Sequence, residues 1–302
     1  MKVALFLLLV MFLCACQHQL KYQTETVSEQ TPGNVLAQSF NSEWRSLDIE
    51  NTLYLTLVQG VVVIEMLPEL APLHVENTKA LVRQGVFNDT FFYRVIDGFV
   101  AQGGPANEDQ SNKLVLQEGA YTVSAEFTSK NDISSEYIFF DDRDGYADET
   151  GFIKSFAVGK DLQTGESWLL HCYGALAMGR ADNINTGGTE LYIVIGPAQR
   201  YLDRNTTVFG RVIKGMEHIQ ALKRLSGLDS NETGPESNLI QSIQVAADLP
   251  KNQMPDIEIL DSNSNSFQQF LKSRKNRTDS WFVYQHNYMD ACGIPIPIRL
   301  KP

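Results

Sequence analysis

The sequence predicts a mainly β protein, a closed antiparallel barrel accompanied by two isolated helices. Short runs rich in β-branched and aromatic residues recur between about residues 52 and 246, punctuated by Gly, Pro and Asp-Gly turn signals. Two amphipathic stretches are the strong helical patterns in that span, so strands do not alternate with helices as a parallel α/β sheet requires. A core is affordable in composition: 43% of the 302 residues are hydrophobic and 20% charged, too apolar for disorder. Asp and Glu number 36 against 25 Lys and Arg, a formal charge of −11 that phosphate backbones repel. The longest basic patch, Lys272 to Arg277, is short and near the C-terminus, so nucleic acid is not expected as a partner.

The chain opens with Met1-Lys2 and an unbroken apolar run of 13 residues, Val3 to Ala15. A spanning helix needs about 20 residues, whereas this length suits the apolar region of a secretory signal, expected over 1–15. The run ends Leu13-Cys14-Ala15-Cys16, which resembles the bacterial lipoprotein box. That resemblance implies cleavage before Cys16, lipid on its thiol, and a membrane anchor without a spanning segment. Gln17 next to it resembles outer-membrane sorting; ordinary cleavage to a soluble periplasmic protein is the alternative. Residues 16–48, polar and rich in Gln, Thr and Ser, read as a lipidated start and flexible tether. Cleavage and lipid then leave Cys172 and Cys292, which in an oxidising compartment either pair, tying the tail to mid-chain, or stay buried and free.

From Thr52 the pattern turns to strands. Leu53, Leu55 and Leu57 alternate with Tyr54, Thr56 and Val58, Gly60 turns, and Val61 to Met66 returns as a hairpin. Pro68 and Pro72 stop that strand; Val75, Thr78, Leu81 and Val82 share one helical face, with Gly85 as C-terminal cap. Phe91 to Val100 is strand-like with a turn at Asp97-Gly98, and Tyr121 to Phe127 is another short strand. Ser129 to Ser167 reads as loop-rich. Strands resume at Gly174–Met178, Glu190–Ile195 and Thr207–Ile213, a second helix starts at Met216, and Asn238 to Ala246 is the last strand. Pro250 and Pro255 mark a boundary, after which Phe267, Phe270 and Leu271 suggest a short helix and Pro295, Pro297 and Pro302 an extended end.

Phe92-Tyr93-Arg94-Val95-Ile96-Asp97-Gly98-Phe99-Val100-Ala101-Gln102-Gly103-Gly104 resembles the signature of the cyclophilins, peptidyl-prolyl cis-trans isomerases, whose usual form is Phe-His-Arg-Val-Ile-x-Gly-Phe-x-x-Gln-Gly-Gly. Gly174 to Met178, Gly187-Gly188-Thr189-Glu190-Leu191-Tyr192-Ile193, Tyr201-Leu202-Asp203 and Val208-Phe209-Gly210-Arg211-Val212 resemble later family blocks in the same order. The resemblance runs from about Leu53 to Ala246 and implies an eight-stranded antiparallel barrel capped by two α-helices. It places a cyclophilin-like domain at 49–248, with an insertion at about 129–172 that exceeds the family's usual spacing by roughly 30 residues, more than a structureless loop of about 12–15 usually reaches. Residues 249–302 are then a C-terminal extension packing on the domain. The apolar run Trp168 to Tyr173 is expected to pack against Trp281-Phe282-Val283.

The resemblance implies rotation about X–Pro amides of unfolded or exported polypeptides, with no cofactor and no metal. By that likeness Arg94 is the catalytic cation, and Gln102 holds it and the substrate backbone. Phe99, Val100, Tyr192 and Leu202 form the apolar cup for the proline ring, with Gly179, Arg180, Glu190, Tyr201 and Thr206 completing the binding surface. Several positions depart from the family. Val100 stands for Met, Tyr201 for Trp and Thr206 for His, while Gly179-Arg180 replace a small residue and Asn. Glu190 stands for Gln, which leaves two outcomes open: the carboxylate orients Arg94, or draws it off the proline nitrogen and leaves a weak or inactive module that binds proline-containing peptides. Asp142, Asp144 and Gly145 have partial calcium-loop spacing, but Phe140 and Gly151 occupy ligand positions, so the stretch reads as a solvated acidic loop. His171 beside Cys172 has no second pair at zinc-ligand spacing.

Overall fold

A barrel closes when alternate side chains of every strand can fill one interior. The computed structural model describes residues 30–105, 116–133, 135–227, 233–250 and 255–301. The expected signal at 1–15 and the lipid site Cys16 lie outside the described residues. In chain order, α1 (Pro32–Gln38) and β1 (Trp44–Ser46) precede the hairpin β2 (Thr52–Leu57) and β3 (Gly60–Met66). Then come α2 (Pro72–Arg83), β4 (Thr90–Val95) and β5 (Val100–Gly104). The insertion holds β6 (Ile138–Phe140), β7 (Glu149–Ile153), β8 (Phe156–Lys160) and β9 (Ser167–Leu169). β10 (Ala175–Met178), β11 (Leu191–Val194), β12 (Val208–Lys214), α3 (Met216–Gln220) and β13 (Leu239–Val245) complete the barrel domain. β14 (Ile257–Leu260), α4 (Asn265–Lys275) and β15 (Ile298–Leu300) belong to the extension.

Eight strands close in the order β10-β11-β5-β4-β13-β2-β3-β12, all antiparallel, as expected from the family blocks. Leu53, Leu55 and Leu57 of β2 face Val62, Ile64 and Met66 of β3 across the interior core, with Ala101, Leu176, Ile193 and Phe209 from the other side. That is the period-2 alternation read from the sequence. The β2–β3 turn is Val58-Gln59, one position before the expected Gly60, because Leu57 and Gly60 pair directly. Val75, Leu81 and Val82 of α2 and Ile219 of α3 join the same core as the two caps. Pro72, expected to stop a strand, also starts α2 at its first turn, where its missing N–H costs nothing. Gly85 sits at φ +72° just past the helix. There its own N–H bonds Val82 O at 2.9 Å, and the Val86 N–H bonds Leu81 O at 3.1 Å. These are the paired capping bonds that a left-handed residue permits.

The insertion is a four-stranded antiparallel sheet, β6-β7-β8-β9, and not the loop-rich segment expected. Its central hairpin pairs Ile153 with Phe156 across Lys154-Ser155, both with positive φ, at 46° and 65°. Two-residue hairpins need that twist, but the usual Asn-Gly or Asp-Gly signal is absent here. Ser155 is held instead from outside: its backbone N–H bonds Ser262 Oγ at 3.1 Å and its hydroxyl donates to Leu260 O at 2.7 Å.

Residues 30–48 also differ from the expected flexible tether. Thr31 caps α1, whose Val35 is buried; α1 lies on α4, and β1 joins β14 and β15 in a three-stranded sheet. A second apolar core gathers Val35 from this segment, Phe152, Trp168 and Leu170 from the insertion, and Leu260, Phe267 and Phe270 from the extension. Trp168 therefore shares its core with Leu260 and the α4 phenylalanines, and not with Trp281 and Val283, which are 80% and 102% exposed. The disulfide Cys172–Cys292 borders this core and ties the extension to the strand entering β10. A buried ion network stitches the same junction. Glu65 on β3 takes Arg45 of β1 at 2.5 and 3.0 Å and Arg211 of β12 at 3.3 Å, and both guanidiniums also donate to the Lys154-Ser155 turn.

Candidate active site

Three adjacent barrel strands build the site on the outer face. In Val100-Ala101-Gln102 the middle residue points into the barrel, so Val100 and Gln102 point out. Arg94 of β4 stands opposite Gln102, and Tyr192 of β11 stands opposite Gln102 on its other side. One cross-strand row therefore carries Arg94, Gln102 and Tyr192. The Arg94 guanidinium donates to Gln102 Oε1 at 3.3 Å and lies 5.5 Å from the centre of the Phe99 ring. Phe99 reaches it because the β4–β5 turn returns at Gly98, whose φ is +68°. Val100, Tyr192 and Phe99 share one apolar cluster with Ala177 and Val208.

Glu190 is engaged elsewhere than on Arg94. Its carboxylate accepts the Tyr93 hydroxyl at 2.8 Å and the Thr189 hydroxyl at 3.1 Å. Burial, followed by the Glu190 charge, holds the Tyr93 phenol far above its ordinary range, so it remains a neutral donor. The Gly179 N–H bonds Glu190 O at 2.6 Å, and a side chain there would meet Gln102 Nε2 at 2.8 Å, so glycine gives the Gln102 amide its room. Arg180 is held by neighbouring backbone carbonyls. It donates to Asn205 O at 2.8 Å and lies 5.5 Å over the Phe127 ring, pinning the 203–206 turn.

That turn carries the remaining expected residues. Leu202 is half-buried, and Tyr201 stands on the rim at 56% exposure. Thr206 bonds back to Leu202 O through its N–H at 3.3 Å, and its hydroxyl is 2.5 Å from that of Tyr192. The structure thus brings Arg94, Phe99, Val100, Gln102, Gly179, Glu190, Tyr192 and Thr206 into one connected patch, with Arg180, Leu202 and Tyr201 at its edge.

Residues 52–245 match the family model described as cyclophilin type peptidyl-prolyl cis-trans isomerase/CLD, nearly two thirds of the chain. The chain belongs to the cyclophilin-type peptidyl-prolyl cis-trans isomerases. Among curated relatives, a probable peptidyl-prolyl cis-trans isomerase of Brucella suis is 27% identical over 65% of this chain and 83% of its own length. Peptidyl-prolyl cis-trans isomerase B of Bacillus subtilis is 29% identical over 51% of this chain and 76% of its own. The crystal structure of cyclophilin AquaCyp293 from Hirschia baltica superposes with a TM-score of 0.69 at 25% identity, covering 90% of this chain and 98% of that one. That coverage exceeds residues 52–245, so the likeness reaches into the parts of this cyclophilin outside the barrel domain.

Reading the sequence missed three residues of the site. Tyr93 stands where the family signature has His, and its value lies in pairing with the equally unusual Glu190. His171 and Asp203 lie under Tyr192 and Thr206; a histidine inside the apolar run Trp168 to Tyr173 was the available signal. Asp142 and Asp144 correct the reading of a solvated loop. Asp144 is paired with Arg200 at 2.7 Å and Asp142 with Lys275 at 2.9 Å, and the two carboxylates are 9% and 8% exposed. Among the described residues, no group of three or more His, Cys, Asp or Glu could hold a metal.

Burial opposes the Asp144 charge, but hydrogen bonds from Arg200 and from the Tyr146 and Ala147 N–H groups outweigh it and hold the carboxyl below its ordinary range. A carboxyl depressed on folding stabilises the fold fully above its unfolded value, about 3.9, and loses that contribution as pH falls through the folded value. Urea midpoints of the wild type are therefore expected to exceed those of Asp144→Asn near neutral pH, with the gap closing below about pH 4.

Proposed function

We propose that this cyclophilin uses Arg94 to speed rotation about X–Pro amides in unfolded, exported polypeptides at the bacterial cell envelope. The observation that carries the reading is the placement of the Arg94 guanidinium, seated on Gln102 and over Phe99 while Glu190 is taken by Tyr93. Rotation faces a barrier of about 18–20 kcal/mol from C–N double-bond character. As the amide twists, its nitrogen becomes pyramidal and gains a lone pair. An N–H donor held beside it binds the twisted state more tightly than the planar one, which is the condition for acceleration. Arg suits this role because its donors are fixed in a plane and always charged. Phe99, Val100, Tyr192 and Leu202 offer the apolar wall for the ring, and no bond is made or broken, so the step calls for no cofactor.

The envelope assignment is supported by the apolar run before Cys16 and by a disulfide, which persists in oxidising compartments. The test is a refolding assay on a secreted protein limited by proline isomerisation, run beside peptide binding. The refolding rate is expected to rise linearly with the amount of this chain. A chain that binds the peptide but leaves the rate unchanged is a proline-peptide binding module instead. Mass spectrometry of the N-terminal peptide from membrane-extracted protein is expected to find acylated Cys16; an unmodified new terminus would make the protein soluble and periplasmic.

A further inference from the structure

Behind the cup lies a buried imidazole that the isomerase step leaves unused. His171 sits between β9 and β10 with 0% exposure. Its Nδ1 is 2.8 Å from Asp203 Oδ1, which also accepts the His171 backbone N–H at 3.0 Å. Asp203 Oδ2 accepts Arg200 Nε at 2.6 Å, and the Arg200 fork reaches both Asp144 oxygens at 2.7 Å. On the other edge of the ring, Nε2 is 2.9 Å from the Tyr192 hydroxyl and 2.9 Å from the Thr206 hydroxyl, themselves 2.5 Å apart.

A hydrogen count decides what this triangle shows to a substrate. The Asp203 carboxylate has lone pairs only, so it assigns the ring hydrogen to Nδ1 and leaves Nε2 as an acceptor in the neutral ring. Tyr192 and Thr206 bring two hydroxyl hydrogens. One goes to Nε2 and the other to the neighbouring hydroxyl oxygen, so both are consumed inside the triangle. The order Thr206–His171–Asp203 also has nucleophile–base–carboxylate spacing, but Nε2 is shared with Tyr192 and Asp203 is shared with Arg200, which suits holding better than proton transfer.

We propose that His171 is a positioning residue of the isomerase. It turns the Tyr192 and Thr206 hydroxyls away from the substrate, so that a wall built partly from polar residues receives the apolar proline ring. The chain Asp203–Arg200–Asp144 extends this hold into the insertion, since Asp144 lies between β6 and β7. Without His171 the hydroxyl that donates to Nε2 loses its acceptor and holds water in the cup, a cost that the bound planar and twisted states share. Such a change acts on KM and spares kcat.

The proposal rests on the isomerase reading, whose failure would show as a wild type without turnover. Steady-state kinetics of the full chain on an Ala-Pro peptide tests the proposal itself. His171→Leu is expected to raise KM by about tenfold, the scale set by an unsatisfied buried polar group, with kcat within about twofold. Removing both hydroxyls with Tyr192→Phe and Thr206→Val leaves the ring nothing to hold, so adding His171→Leu to that pair is expected to shift KM by less than about threefold, a non-additive combination. An unchanged KM, an equal fall in kcat and kcat/KM, or strict additivity overturns the assignment. A second readout needs no variant. Long-range 1H–15N spectra of the wild type are expected to show His171 as the Nδ1–H tautomer, and an Nε2–H tautomer would refute the proposal, because it would free a hydroxyl hydrogen for the cup.

Discussion

Arg94→Ala is expected to lower kcat/KM for an X–Pro peptide by roughly 10²–10³, the loss typical when one preorganised donor to a transition state is removed. The fall should lie in kcat. The proline ring contacts the apolar wall in planar and twisted states alike, so peptide affinity should stay within a few-fold. Arg94→Lys should recover little of the rate, because a flexible ammonium offers a point charge where a planar fork is seated on Gln102 and over Phe99. A protease-coupled assay on the three proteins reads all of this. If Arg94→Ala kept wild-type turnover, the Tyr93–Glu190 pair beside it would be the next source of catalysis to examine.

Loss of the disulfide is expected to have the largest effect on stability. Cys172 and Cys292 are 120 residues apart, so the cross-link closes a long loop in the unfolded chain. In the chain-entropy account such a loop contributes about 4–5 kcal/mol. The bond also holds the extension where Phe267, Phe270 and Leu260 meet Phe152, Trp168 and Leu170. Cys292→Ser is therefore expected to lower the unfolding free energy by roughly 3–5 kcal/mol in denaturant titrations, and a reducing agent should bring the wild type to the same value. A loss below about 1 kcal/mol would mean that the Glu65 ion network and the second core hold the extension without the bond.

The barrel was legible because its strands alternate. Leu53, Leu55 and Leu57 declare a face, and the run from Phe92 to Gly104 carries the site in a single hairpin. The insertion was not legible for a local and a global reason. Lys154-Ser155 makes its tight turn without glycine, and Phe152 and Trp168 face a core assembled from segments at both ends of the chain. α1 was hidden similarly. Seven residues that include Pro32 and Gly33 are too few to hold a helix on their own, and it is the packing of α1 on α4, with Val35 buried, that orders them. In the site, Arg94 and Gln102 could be found from their motif, whereas His171 meets Asp203, Tyr192 and Thr206 from 32, 21 and 35 positions away. No local pattern encodes such a meeting.

The fate of Glu190 turned on one partner. A carboxylate beside the Arg94 guanidinium was the gravest departure from the family pattern, yet Tyr93, which replaces the signature His, gives that carboxylate a buried neutral donor. Two departures together leave Arg94 where one alone could have captured it.

Exchange NMR on an X–Pro peptide bound to this cyclophilin measures rotation on the enzyme itself, separate from binding and release. Cis–trans exchange in the wild-type complex is expected to run about a hundredfold or more faster than in the Arg94→Ala complex at closely matched affinity. Equal on-enzyme exchange rates in the two complexes would contradict a role for Arg94 in the rotation.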